Sequence, residues 1–225
     1  MLGNLINMAA IIVGSIVGRL LGGRLNENFR EAALKAGGLA LMLLGLKMAL
    51  GGENFILILL SMVGGGLLGE AIDINGAMER FGKMVERKLA PNSDGFSKAF
   101  VSSTLLFCIG PMSIMGSLAG GLRGEHEILI TKAVLDGIFS SVLAATMGIG
   151  VIGSAVTTGI YQGAIVLGAS WVEQFLTDAV VNEMTAVGGL LILAIGFNML
   201  KVKEFKTANM LPSLLIICVL AAFFA

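Results

Sequence analysis

Residues Phe107 to Gly121 read FCIGPMSIMGSLAGG, an apolar run cut by Gly110-Pro111 and resumed with small residues and hydroxyls. Pro111 has no amide hydrogen to give to the carbonyl of Phe107, and its ring clashes with the preceding turn. Gly110 tolerates backbone angles that other residues avoid. A helix must bend or split here. Whether the second half runs on or turns back fixes the orientation of every later element, and with it the fold.

The surroundings of this break are unusually apolar. Of 225 residues, 56% are hydrophobic and 13% charged, with a mean hydropathy of +0.92. Only helices or closed barrels satisfy their backbone in lipid, and an α-helical span takes roughly 20 apolar residues. The long uninterrupted runs therefore predict an all-α polytopic membrane protein with about eight transmembrane helices. They fall near residues 3 to 22, 32 to 51, 54 to 72, 97 to 121 (the broken one), 129 to 149, 152 to 170, 184 to 200 and 208 to 225. The N-terminal MLGNLINMAAIIVG has neither a basic leader nor a small-residue cleavage site, so it reads as the first span. No segment reads as a soluble domain, and the whole chain, 1–225, is expected to be one transmembrane domain.

The 15 basic and 15 acidic residues cancel, which argues against a nucleic-acid partner. Cys108 and Cys218 lie in apolar runs and match no metal, haem or redox spacing, so they read as small apolar residues. His126, in the polar RGEHE turn, reads as a solvated loop residue. Between the third and fourth spans, Ile74, Met78, Phe81, Val85 and Leu89 recur at helical spacing opposite Arg80, Lys83, Arg87 and Lys88. This predicts an amphipathic surface helix over 74–90.

Basic residues accumulate on the cytoplasmic side. With all eight segments spanning and the N-terminus outside, 12 of the 15 Lys and Arg face the cytoplasm, and both termini lie outside. Only Lys47, Arg123 and Lys132 remain on the outer side. If the broken segment instead re-enters, every later span flips and the count becomes 11 to 4, so charge leaves both topologies open.

An internal repeat is also legible. Residues 25–50 can be laid on 176–200 at a constant offset of 151, matching Gly37/Gly188, Gly38/Gly189, Gly45/Gly196 and Met48/Met199. The preceding spans resemble each other through GSIVG (Gly14, Gly18) and GIYQG (Gly159, Gly163), faces that let helices approach closely. Five spans, an odd number, separate the starts of the two copies, so with every segment spanning the copies point in opposite directions. The expectation is an inverted repeat of three spans, residues 1–72 and 152–225, around a central broken helix and partner at 97–149, as in many secondary transporters. The rival explanation is that glycine-rich apolar helices look alike.

The break itself is either a kink satisfied by neighbouring helices or a substrate site. As a site it would offer Gly110, Pro111, Ser113 and Ser103, with the amides of residues 112 to 114 at the start of the second half. Gly116 and Gly120 follow at fourfold spacing and form a packing face. Asp136, with Ser140 at i+4, is the acidic group inside a span, and such groups usually face an interior. Lys47 and Asn198 occupy equivalent positions in the two copies, Lys47 reading as a side chain that snorkels to the surface. Asn4, Asn7, Gln162 and Asn182 are further polar candidates.

No GxSxG, HExxH, metal-ligand spacing or phosphate-cradling loop is present in the sequence, so neither an enzyme nor a cofactor is expected. The segments GNLINMAAIIVGSIVGRLLG, AGGLALMLLGLKMAL and FCIGPMSIMGSLAGGL together resemble the bacterial YdfK/YqgA-type membrane proteins, the family of domain of unknown function 554. The resemblance covers essentially the whole chain, and FCIGPMSIMGS is its most specific part. It implies a multi-spanning bacterial inner-membrane protein, loosely linked with transport, and it assigns no site residues. The sequence reading is then a transport protein for a small solute or ion, with the lipid bilayer as its surroundings. At 23.3 kDa it is expected to be a homo-oligomer. A channel built from the same parts, or a scaffold docking through residues 74 to 90, are the alternatives.

Overall fold

A computed structural model describes residues 1–22, 27–77, 80, 95–172 and 176–224. Among the described residues there is no strand. The helices are α1 (Leu2–Gly22), α2 (Glu27–Ala49), α3 (Phe55–Ile72), α4 (Phe96–Ile109), α5 (Pro111–Leu122), α6 (Glu127–Met147), α7 (Ser154–Leu167), the single turn α8 (Ala169–Val172), α9 (Asp178–Met199) and α10 (Pro212–Phe224). Short 3-10 turns, Ile149–Gly153 and Thr207–Met210, lead into α7 and α10. Among the described residues, seven helical segments are long and apolar enough to cross a membrane, and the bent pair α4–α5 makes an eighth if it is one span. The expected amphipathic helix lies largely outside the described residues, of which 74–77 are helical.

Several helix ends are marked by capping or turn residues. Asn54 caps α3, accepting from the Leu57 amide at 3.3 Å, and Asp73 ends it in the left-handed conformation. Thr177 caps α9 in the same way, accepting from Val180. Gly124, at φ 68°, makes the tight turn between α5 and α6.

The burial pattern shows what surrounds the chain. On α1 the buried face carries Gly3, Asn4, Asn7, Ile11, Gly14, Ser15 and Gly18, while Leu2, Leu5, Val13 and Leu20 are exposed. Small and polar residues inside, large apolar ones outside, reverses the arrangement of a water-soluble helix and fits a lipid exterior.

The contacts divide the chain into two compact units, residues 1–37 with 79–170, and residues 38–78 with 171–225. In the first unit α1 runs parallel to α6. Gly14, Gly18 and Gly22 press in turn against the backbone of Gly137, Ser141 and Ala145, which leaves no room for a Cβ. Helix α7 runs antiparallel to α1, with Gly159 against Met8 and Gly163 against Asn4. The GSIVG and GIYQG glycines therefore serve different neighbours, α6 and α1 respectively. Gly116 abuts Leu129 of α6, and Gly120 makes only ordinary contact with His126.

The broken pair α4–α5 bends by 58° and does not double back. Its partners climb steadily along one neighbour: Phe96 meets Gly150, Phe100 meets Gly153, Thr104 hydrogen-bonds Thr157 at 2.9 Å, and Cys108 Sγ lies 3.7 Å from Thr158 Oγ1. Beyond the break, Ser113 accepts from Gln162 and Gly121 abuts Val166. Both halves keep step with α7 in one direction, as a single bent span does and a re-entrant loop does not.

In the second unit α9 is the central helix, burying Val180, Ala186, Val187, Leu191, Ile192 and Ile195 among others. A Cβ on Gly45 of α2 would fall 2.6 Å from the Gly189 carbonyl oxygen, and one on Gly196 would fall 2.9 Å from that of Gly38. Helices α2 and α9 therefore cross antiparallel through glycine. Helix α3 crosses α10 in the same sense, Gly65 against Ser213 and Gly69 against the Asn209 backbone.

Candidate functional site

The polar side chains of the first unit gather in one layer. Asp136 of α6 is 6% exposed and pairs with Lys132, one turn earlier on the same helix and 4% exposed. The Lys132 ammonium also sits 5.8 Å from the ring centroid of Phe107, a fully buried residue of α4. From α1, the Asn7 amide nitrogen reaches both the Asp136 carboxylate and Gln162 Oε1, the latter at 3.4 Å. Gln162 of α7 passes the chain on, its Nε2 donating to Ser113 Oγ of α5 at 3.0 Å. Asn4, a turn below Asn7, donates to the Gly159 carbonyl at 2.9 Å. Helices α1, α6 and α7 and the broken pair α4–α5 all contribute to the layer.

Its depth follows from helix geometry. Asp136 lies about nine residues into α6, and Ser113 about nine residues from the end of α5, roughly 14 Å at 1.5 Å per residue. Both therefore sit near the middle of a hydrocarbon core about 30 Å thick.

The charged pair is placed against the grain of its helix. A carboxylate one turn N-terminal to a lysine suits the helix dipole, and here the order is reversed, with the cation nearer the N-terminus. Buried ion pairs contribute little net stability after desolvation. Neither effect explains two charges at this depth.

The sequence candidates fare differently. Ser113 and Asp136 belong to the same connected layer, joined through Gln162 and Asn7. Ser103, fully buried, turns its hydroxyl onto its own helix, bonding the carbonyls of Ala99 (2.7 Å) and Phe100 (3.2 Å). Gly110 links the half-helices in an extended conformation, and its carbonyl accepts from the Ser113 amide at 2.9 Å, so that amide is already engaged. Pro111 opens α5, where its missing N–H costs nothing. Ser140 bonds the Gly137 carbonyl on its own helix.

Lys132 is the residue that sequence reading missed, since it counts there as an outer-surface cation. Its i−4 spacing from Asp136 is the signal that could have found it. Asn7 and Gln162, named only as further polar candidates in the sequence, are the links of the layer. Lys47 and Asn198 do not form a matched pair. Lys47 is exposed, whereas Asn198 clasps the backbone of Phe205, donating to its carbonyl (2.8 Å) and accepting from its amide (2.7 Å).

In the second unit Glu183, 2% exposed, accepts from the amides of Glu53 and Asn54 at 2.9 Å each, and Asn182 donates to the Gly51 carbonyl. These contacts hold the loop into α3. An apolar cleft of about 270 Å³, lined by Phe55, Ile58, Leu59, Phe197, Phe205 and others, offers no side-chain charge to a polar solute. Among the described residues no group of three or more His, Cys, Asp or Glu is arranged to hold a metal ion.

Comparison with known proteins bears on the whole chain. Residues 2–222 match the family described as Protein of unknown function (DUF554). The chain is 38% identical over 221 residues to the uncharacterized membrane protein YdfK of Bacillus subtilis (strain 168), covering 96% of this chain and 93% of that one. It is 30% identical over 226 residues to the uncharacterized protein YqgA of Escherichia coli (strain K12), covering 98% and 96%. No solved structure matches.

Proposed function

From a chain that belongs to the DUF554 family and is a membrane protein, we propose a transport function for a small solute or ion, with the polar layer beside the α4–α5 break as its binding site. The observation that carries this reading is the connected chain Lys132, Asp136, Asn7, Gln162 and Ser113, drawn from three helices and the half-helix after the break. Polar groups at this depth are costly in lipid, face a protein interior or a cavity, and characteristically mark substrate or ion pathways. The protein acts as a non-enzymatic carrier in the bacterial inner membrane, N-terminus outside, in keeping with the distribution of its basic residues.

The inverted repeat belongs to this reading. The offset of 151 sends Gly45 to Gly196 and Gly38 to Gly189, and the contacts observed are Gly45 with Gly189 and Gly38 with Gly196. Exchanging the copies maps this crossing onto itself, as a two-fold axis requires. Such symmetry supports two interchangeable inward and outward forms.

Reconstituted in liposomes, the protein should carry at least one member of a broad ion and metabolite panel. Asp136→Asn should reduce that flux at least tenfold, and Pro111→Ala should weaken it. Flux equal to that of empty vesicles across the panel overturns the reading in favour of a scaffold. Saturation with substrate separates a carrier from a channel.

A further inference from the structure

We propose that the polar layer is a receptor for a primary ammonium group, and that Lys132 is a tethered ammonium occupying it. This rests on the transport reading above and names the class of solute.

The layer is rich in acceptors that nothing fills. Asn4 Oδ1 and Asn7 Oδ1 are both buried without a hydrogen-bond partner, one turn apart on α1. Their orientations are set by their surroundings. The Asn4 nitrogen must face the Gly159 carbonyl, and the Asn7 nitrogen must face the Gln162 oxygen and the Asp136 carboxylate, so in each the oxygen is the atom left over. A buried acceptor without a donor costs about 1–3 kcal/mol. Two of them in one layer, next to a carboxylate, call for a ligand that carries several N–H donors and a positive charge.

The occupant of the carboxylate has that chemistry already. Lys132 Nζ is a primary ammonium, paired with Asp136 and resting toward the face of Phe107, whose ring attracts cations. Its position on α6 lets it leave. Lys132 lies about five residues from the helix start, roughly 8 Å deep, and its flexible stem can lift the ammonium toward the surface. Asp136, deeper and on a short side chain, cannot follow. An incoming ammonium then takes over the carboxylate and the Phe107 face, and the layer never holds an unpaired carboxylate.

The test uses the full-length protein in detergent, with methylammonium chloride as the probe and thermal unfolding as the readout. Methylammonium should raise the unfolding midpoint above that in equal sodium or potassium chloride. Tetramethylammonium, which has no N–H, should not. Lys132→Gln keeps a donor to Asp136 and removes the competing charge, so it should bind methylammonium roughly tenfold tighter; Asp136→Asn should abolish the effect. An equal response to sodium or potassium overturns the proposal in favour of an alkali-cation site. So does the absence of any methylammonium response in the wild type and Lys132→Gln, and the wild-type comparison stands even if the variant fails to fold. Methylammonium binding without flux in liposomes leaves the receptor and removes the transport reading. Asp136-dependent flux of another solute, without methylammonium binding, does the reverse.

Discussion

The Lys132–Asp136 pair sets the terms at the scale of single residues. Removing one partner strands the other charge in a buried site, whereas removing both leaves a neutral interior. Lys132→Met should therefore destabilise the protein by about 3–5 kcal/mol, and Lys132→Met combined with Asp136→Leu should recover most of the loss. Thermal unfolding of the four members of this cycle in one detergent checks it, and a double variant no better than the single one refutes it. Asp136 was legible in the sequence because a carboxylate inside an apolar run stands out. Lys132 was not, because counting basic residues by loop assigns every lysine near a helix end to the surface. Asn7 and Gln162 gain their meaning only from helices about 155 residues apart in sequence meeting face to face.

Among helices, the contrast between neighbouring glycines of α3 is sharp. A Cβ on Gly69 would run into the Asn209 carbonyl, while one on Gly66 meets nothing within 4 Å. Gly69→Ala should cost about 1–3 kcal/mol by forcing α3 and the turn at 207–210 apart. Gly66→Ala should be neutral or slightly stabilising, since alanine is the better helix former. Equal effects of the two in thermal unfolding would contradict the packing described. The helices themselves were legible from apolar run length, and the break from Gly110-Pro111. The course of the chain after the break was not, because charge counts of 12 to 3 and 11 to 4 barely differ. What decides it is register, the steady climb of α4 and then α5 along α7, and no local sequence pattern encodes that.

For the whole molecule, the proposed arrangement of eight successive spans with the N-terminus outside predicts which turns share a side. A single cysteine at Glu125 in a Cys108→Ser, Cys218→Ser background should react with an impermeant maleimide in intact cells. One at Lys203 should react only after permeabilisation. The opposite pattern would place the N-terminus inside. The two stretches that the sequence lays on each other at an offset of 151 do not form separate bodies, since α1 and α7 belong to one compact unit, α3, α9 and α10 to the other, and α2 is divided between them. The ion pair of α6 also bears on how such a chain reaches the bilayer. A lone charge at this depth is expensive to insert. Here the cation and anion are a turn apart on one helix, so they neutralise each other as soon as α6 winds, before any neighbour has arrived. Segment α6 carries its own counter-ion into the membrane, and insertion need not wait for the partners that later complete the layer.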